Sequence, residues 1–321
     1  MGKNNTKTYS ILSNMPISKL RELQKSKDNL QYLFKKSCIV RENGSNKLFI
    51  GDINNKVTIK NNIKGIKQLK TLKCTYNNEI VKEYESLIKS FCTSLSVQFK
   101  SICGKVAYRL AIGLGNPNVT ETDITLHHIY GIPYIPGQAL KGSTRNYFLE
   151  KYFDIEKLKF DYIEINNVKV DGKILYEYIF GDDLFENDNK VGNVIFFDSF
   201  PVGNFTIEKD VMNVHYKEYY NDNGYPLDSS NPNLISFYSM KDTKFKFIFA
   251  IKKNSFKIKS GDENTKIEIE QKYLIKFIDD LIKGMVVNHG IGAKTSVGYG
   301  YFEIDENLQE NNKKKFKPEK R

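Results

Sequence analysis

A glycine-rich stretch near the C-terminus has the composition of a loop that binds phosphate. It runs from His289 to Gly300, and we call it the glycine loop. Glycine lets backbone amides approach a ligand closely, and successive amides beside a lysine and two hydroxyls suit phosphate oxygens. The alternative is a turn that holds no ligand. The residues predicted to bind are Gly290, Gly292, Lys294, Thr295, Ser296, Gly298 and Tyr299.

The glycine loop does not match the P-loop of nucleotide-binding proteins. That motif requires glycine directly before the lysine, and Ala293 stands there. It also requires a strand before the loop and a helix after it, whereas the predicted order here is helix, loop, strand. These two departures exclude an ATPase of this class.

A second segment predicts a helix that presents cations. Pro136 suits the first helical position, where its missing N–H costs nothing, and a free helix N-terminus at Gly137 attracts anions. Lys141 and Arg145 are four residues apart, so they share one face of the helix. The alternative is ordinary helix–sheet packing with surface cations. We expect Gly137, Lys141, Arg145 and the glycine loop to form one groove for a ribose–phosphate strand.

Composition limits the protein class. The chain has 321 residues and a net charge of +11, with 40% hydrophobic residues, enough to bury a core. No apolar run approaches the roughly 18 residues of a membrane span. Part of the charge lies in the tail Asn311–Arg321, which we expect to be solvated and disordered. Charge alone therefore leaves RNA binding possible but unproven.

Cysteine usage argues against zinc and against secretion. The four cysteines form no Cys-x-x-Cys pair and have no histidine nearby, so we expect no metal, no cofactor and reduced thiols in a cytoplasm. They are Cys38, Cys74, Cys92 and Cys103.

Periodicity divides the chain into three parts. Residues 1–93 are predicted to be a mainly helical extension that ends in a helix at Asn78–Cys92. Residues 94–305 are predicted to be one α+β domain with a sheet covered on one side, and 306–321 a basic tail. The predicted strands are Ser96–Ile102, Val106–Ile112, Asn193–Phe200, Leu234–Met240, Thr243–Ile251 and Tyr299–Ile304, and the predicted helices of this domain are Pro136–Phe153 and Tyr273–Val287.

Together, the helix start and the glycine loop resemble the RAMP superfamily of CRISPR effector proteins. Its members carry an Ile-Pro-Gly-Ser-Ser-Leu-Lys-Gly-x-x-Arg helix start, which Ile135–Arg145 matches except at Gln138 and Ala139, and a glycine-rich loop near the C-terminus. Over about 109–302 the chain looks like the terminal RAMP subunit of the type III-B (Cmr) complex. The further segments that carry this similarity are Gly113–Gly115, Leu126–His127, Val194–Pro201, Asp210–Asn213, His215–Tyr220 and Gly290–Tyr301.

The resemblance implies a fold and a role. The fold would be ferredoxin-like (RRM-type), an antiparallel sheet with helices on one face, elaborated by insertions. The subunit would cap the 3′ end of the guide RNA and hold guide and target RNA without catalysis. Its neighbours would be the backbone RAMP subunit, the small helical subunit and the other end RAMP subunit. A subunit that accepts any guide should contact phosphates and riboses rather than base edges.

The resemblance also raises an enzymatic alternative. The related backbone subunit cuts target RNA with an aspartate that precedes the Ile-Pro-Gly helix, and Glu121 or Asp123 falls near that place, with His127 or His128 available for acid–base work. A metal-independent, guide-processing RAMP endoribonuclease would likewise need such a histidine. We expect His128 and His215 to be structural histidines and the chain to be no nuclease.

Overall fold

The computed structural model describes 10 stretches of the chain, which fall into two compact units. The described residues are 10–11, 39–42, 45–48, 71–74, 79–116, 122–181, 191–214, 233–252, 255–259 and 266–304. The larger unit comprises residues 75–110, 135–205 and 242–321, and the smaller one 1–74, 111–134 and 206–241.

Short strands dominate the described residues. In chain order they are β1 (Ser10–Ile11), β2 (Ile39–Glu42), β3 (Ser45–Leu48), β4 (Thr71–Cys74), β5 (Gln98–Val106), β6 (Phe153–Asp154), β7 (Lys159–Phe160), β8 (Tyr162–Ile165), β9 (Val168–Asp171), β10 (Val194–Phe196), β11 (Phe200–Pro201), β12 (Phe205–Val214), β13 (Asn233–Lys241), β14 (Lys244–Ile251), β15 (Ser255–Lys259), β16 (Lys266–Glu270) and β17 (Phe302–Ile304). The helices are α1 (Glu79–Ser94), α2 (Gly137–Tyr152), α3 (Gly172–Phe180) and α4 (Gln271–Gly284), the last continued by a π-helical turn at Met285–His289.

The larger unit is built on a five-stranded antiparallel sheet. Its strand order is β10-β14-β5-β17, with β11 also pairing with β14. Along the chain these strands alternate with helices as β5-α2-β10-β14-α4-β17, which is the β-α-β-β-α-β arrangement of a ferredoxin-like fold. The predicted ferredoxin-like α+β fold with an antiparallel sheet is therefore confirmed.

Helices cover both faces of this sheet, whereas the sequence predicts one covered face. Alternation along β14 divides its side chains between the two faces. Phe245 and Phe247 pack edge-on against Phe302. On the opposite face, Ile248 and Ala250 join a buried cluster with α1. The face that an open RRM-type sheet would present is thus occupied by α1.

An ion-pair network fixes α4 to the sheet. The carboxylate of Asp279 is 3% exposed and lies 2.8 Å from the ammonium of Lys100 on β5 and 2.9 Å from that of Lys283. A buried carboxylate is tolerated because two cations compensate its charge. The helix that leads into the glycine loop is therefore held in one position.

Strand β5 is continuous, whereas the sequence predicts two strands interrupted at Gly104. The residue has no cap or turn role; it lies mid-strand, where a Cβ would be 3.3 Å from the ring of Phe302 and 3.4 Å from that of Phe247. Glycine is used here because two aromatic rings pack against the backbone.

The smaller unit contains two three-stranded sheets, one with the order β1-β2-β3 and one with the order β13-β12-β4. The described residues before 75 are thus strands, while the sequence predicts mainly helix there. Helix α1 is present almost as predicted, but it belongs to the larger unit and not to a separate extension. The tail 306–321 lies outside the described residues.

Several local elements lie outside the predicted strands and helices. Residues 162–171 form the hairpin β8–β9, and α3 follows it directly, capped at its N-terminus by Asp171. The hairpins β6–β7 and β15–β16 also lie outside the predicted strands. Of the helices in the described stretches, none is long and apolar enough to cross a membrane.

Candidate functional site

The N-terminus of α2 is capped from within the protein. The N–H of Gly137 donates to the carboxylate of Asp198 at 2.7 Å. A Cβ at Gly137 would overlap the carbonyl oxygen of Phe196, so only glycine permits this close approach to the end of β10. The positive end of a helix favours a carboxylate, and Asp198 supplies it. No sequence pattern indicates this pairing, because Asp198 lies two residues beyond β10 and 61 residues from Gly137 along the chain.

Lys141 and Arg145 share one face of α2, and each side chain donates a hydrogen bond to α3. The Lys141 ammonium donates to the carbonyl oxygen of Phe180 at 2.8 Å, at the C-terminal end of α3, where a cation is favoured. The Arg145 Nε donates to the hydroxyl of Tyr176 at 2.5 Å, and its guanidinium lies 5.7 Å from the same ring. Both predicted cations therefore stabilise the packing of two helices.

Backbone hydrogen bonds close the glycine loop at its base. The N–H of Ile291 donates to the carbonyl oxygen of Gly300 at 2.9 Å, and the N–H of Gly300 donates to that of Arg109 at 2.7 Å. Gly290 and Gly300 have φ angles of +78° and +79°, a conformation that glycine adopts without strain. The loop is therefore a fixed structure anchored to the residues that follow β5.

Within the loop, a tight turn engages the N–H groups of two residues that were predicted to bind phosphate, Gly298 and Tyr299. The N–H groups of Val297 and Tyr299 donate to the carbonyl oxygen of Lys294, at 3.1 and 3.2 Å, and that of Gly298 donates to Thr295 at 3.0 Å. Tyr299 is buried, so it belongs to the core. Gly292, Ser296, Val297 and Gly298 are exposed to solvent, and Lys294 and Thr295 are half-buried.

An exposed ring beside the loop was missed by the sequence reasoning. Tyr108 is 51% exposed and packs edge-on against Tyr299, with ring centroids 5.5 Å apart. The guanidinium carbon of Arg109 lies 5.6 Å from the Tyr108 centroid. This pair could have been predicted from the sequence, because an aromatic residue stands directly before an arginine near the end of a strand.

The glycine loop does meet α2, but on another face from the one predicted. His289 Nδ1 lies 2.8 Å from a carboxylate oxygen of Glu150, and the amide of Asn288 donates to the Tyr147 hydroxyl at 3.4 Å. At about 100° per residue, Tyr147 lies about 120° and Glu150 about 180° around the helix from Lys141. The described contacts therefore do not bring the two cations and the loop into the single groove that we predicted.

Two of the candidate acid–base residues, Asp123 and His127, have side chains that are engaged within the protein, whereas His128 is exposed. Asp123 is 4% exposed and accepts a hydrogen bond from the Asn116 amide at 3.4 Å. His127 Nδ1 accepts from the backbone N–H groups of Ile129 and Tyr130, so its lone pair is engaged. Glu121 and His215 lie outside the described residues. Among the side chains that are described, no group of three or more His, Cys, Asp or Glu is placed to hold a metal ion.

The ferredoxin-like fold, with the α2 start and the glycine loop in that order along the chain, defines a class of protein. The model of the RAMP superfamily matches residues 105–303, which span β5 to β17 and both α2 and the glycine loop. The chain belongs to the RAMP superfamily.

Particular relatives narrow the similarity. The chain is similar to the CRISPR system Cmr subunit Cmr6 of Pyrococcus furiosus, with 32% identity over 235 residues, covering 61% of this chain and 65% of that protein. It is also similar to Cmr6 of Saccharolobus solfataricus, with 22% identity over 231 residues, covering 70% and 65%. The chain thus spans a little under two thirds of the length of these curated relatives.

A solved structure supports the fold. A chain in the cryo-EM structure of the type III-B Cmr-β complex bound to cognate target RNA superposes with a TM-score of 0.52 at 22% identity, covering 72% of this chain and 67% of that one. At 22% identity, this similarity supports the fold and nothing further.

Proposed function

We propose that this protein is a non-catalytic RNA-binding subunit of a type III-B CRISPR (Cmr) complex, capping the guide-RNA 3′ end and holding guide and target RNA. The observation that carries the proposal is the 32% identity to a Cmr6 protein over 235 residues, in a chain that belongs to the RAMP superfamily. Backbone and ribose contacts suit this role, because a guide-binding subunit must accept any sequence.

We propose the glycine loop as the principal RNA contact. Gly292, Ser296 and Gly298 are exposed, and Lys294 is partly so. The loop is closed by its own hydrogen bonds, so binding would order few further residues. Tyr108 adds an exposed ring beside it. Gly137, Lys141 and Arg145 contribute to this surface indirectly, by fixing α2.

We propose that the subunit contacts the backbone RAMP subunit, the small helical subunit and the other end RAMP subunit. An apolar stripe beside the buried face of α1 supports binding of a protein neighbour. Leu87, Phe91 and Leu95 recur every four residues and are 67%, 44% and 53% exposed. An exposed apolar stripe of this kind is typical of a protein-binding surface.

The absence of nuclease activity is also part of the proposal. The engaged Nδ1 of His127 and the buried position of Asp123 argue against a poised acid–base pair. Incubating the purified chain with repeat RNA in the absence of metal tests this point. Specific cleavage that is lost on substituting His127, His128 or His215 would favour the endoribonuclease alternative instead.

Co-purification tests the assignment to the complex. An affinity-tagged full-length chain, expressed with the other genes of its locus, is expected to bring down RAMP subunits and a bound guide RNA. Leu87→Asp with Phe91→Asp is expected to weaken protein recovery, while Lys82→Asp, an exposed change on the same helix, is the matched control. Recovery of the chain without RNA or RAMP subunits would contradict the proposal.

A further inference from the structure

A closed turn in the smaller unit holds three aromatic rings in a fixed arrangement. The N–H of His127 donates to the carbonyl oxygen of Ile132 at 2.8 Å, and the N–H of Gly131 donates back to the carbonyl oxygen of His127 at 2.7 Å. Gly131 has a φ of +63°, which allows the chain to reverse. Leu126 and Pro133 form a β-bridge just outside these bonds. The turn is therefore closed at its base by backbone contacts.

The His127 ring is the fixed centre of this turn. Its Nδ1 accepts from the N–H groups of Ile129 and Tyr130, both at 3.3 Å. The Tyr130 ring stacks on it with centroids 4.6 Å apart and planes 18° apart, and Tyr134 packs edge-on at 5.4 Å. Hydrogen bonds and ring contacts together hold this imidazole in one orientation.

His128 extends the stack into solvent. Its ring lies 5.0 Å from that of His127 with planes 25° apart, nearly parallel, and His128 is exposed while His127 and Tyr130 are half-buried. A ring held parallel to a fixed neighbour at the surface is prepared to receive a further flat ring at little entropic cost. The ring that stacks best on such a surface in single-stranded RNA is an unpaired base.

We propose that His128 is a stacking platform for an unpaired base of the bound RNA. This inference rests on the proposed function, since it names a contact to the same RNA. Stacking is tolerant of sequence because every base has a π-face, as a subunit that accepts any guide requires. A role in charge or proton transfer would need the imidazole nitrogens, whereas stacking needs only the flat ring.

The test compares two substitutions in the assembled complex, or in the purified full-length chain if it binds RNA alone. The probe is fluorescein-labelled single-stranded oligoadenylate, with oligouridylate in parallel, and the readout is fluorescence anisotropy. His128→Ala is expected to weaken binding of oligoadenylate roughly 5- to 150-fold, the equivalent of ~1–3 kcal/mol for one stacked base. His128→Phe keeps a flat ring and is expected to bind within about twofold of wild type.

Controls separate stacking from loss of the turn and from failure of the proposed function. Ile129→Ala removes an exposed neighbouring side chain and is expected to leave affinity unchanged. Equal thermal midpoints for the variants will show that the turn is intact. Equal losses in His128→Ala and His128→Phe, or no loss in either, would overturn the platform while leaving RNA binding in place. A wild-type protein that binds neither oligonucleotide nor guide RNA would overturn the proposed function as well.

Discussion

Replacing Gly300 with alanine tests whether closure of the glycine loop stabilises the domain. A Cβ at this position would overlap the carbonyl oxygen of Ile291 and lie 2.9 Å from its carbonyl carbon, and the φ of +79° is strained for alanine. Positive φ costs about 1–2 kcal/mol. The clash also threatens the two closing hydrogen bonds, to Ile291 and to Arg109, at ~0.5–1.5 kcal/mol each. The expected loss of unfolding free energy is therefore about 2–5 kcal/mol.

Gly298→Ala is the matched control for this prediction. Gly298 has a φ of +91°, but a Cβ there would meet nothing within 4 Å. It should cost only the backbone strain, about 1–2 kcal/mol. Urea unfolding of the full-length variants measures both values, and RNA affinity should fall further for Gly300→Ala. Equal destabilisation by the two substitutions would refute the reasoning about loop closure.

Three further predictions follow from the described contacts. Lys294→Ala is expected to lower the slope of log affinity against log salt by about 0.7, as for loss of one contact to single-stranded phosphate. Lys141→Ala should mainly lower the free energy of unfolding, by ~1.5–3 kcal/mol. The same change of slope in both variants would contradict the assignment of Lys294 to RNA and Lys141 to helix packing. Asp198→Ala removes the cap of α2 and is expected to lower the free energy of unfolding in urea by ~0.5–2 kcal/mol. Asp198→Asn should lose less, because its amide oxygen can still accept the hydrogen bond from Gly137. An alanine variant as stable as the wild type would refute the role of Asp198 as a cap. Burial raises the pKa of Tyr238 from 10.0 to about 12. Between these two pH values the folded state keeps a proton that the unfolded state loses, so the contribution of this hydroxyl to stability should be constant below pH 10 and fall between pH 10 and about 12. Tyr238→Phe should reduce that fall, and an unchanged pH dependence would show that this hydroxyl is not responsible.

The sequence predicts those helices and strands that a pattern of neighbouring residues determines. The start of α2 follows from Pro136 and Gly137. Strand β14 follows from the alternation of phenylalanines with lysines at its start, in Lys244–Phe247. The strand order then follows from the resemblance to a known fold. Each of these signals lies within a few consecutive residues.

The features that the sequence does not predict depend on contacts between residues that are far apart along the chain. Asp198 is 61 residues from Gly137 along the chain, and Tyr176 is 31 residues from Arg145. No spacing rule joins such pairs, so the cations that were predicted to bind phosphate were found to pack on α3. The sequence likewise predicts a break in the strand at Gly104, because the rings of Phe247 and Phe302 that pack on this glycine belong to other strands and leave no local pattern.

Mapping protein–RNA crosslinks in the purified complex tests the central proposal most directly. Ultraviolet crosslinking followed by peptide mass spectrometry should locate guide or target RNA on the glycine loop, within residues 290–300, and on the turn at His128. Crosslinks confined to other subunits, with this chain protected from RNA over its whole RAMP domain, would contradict the proposal that it is an RNA-binding subunit.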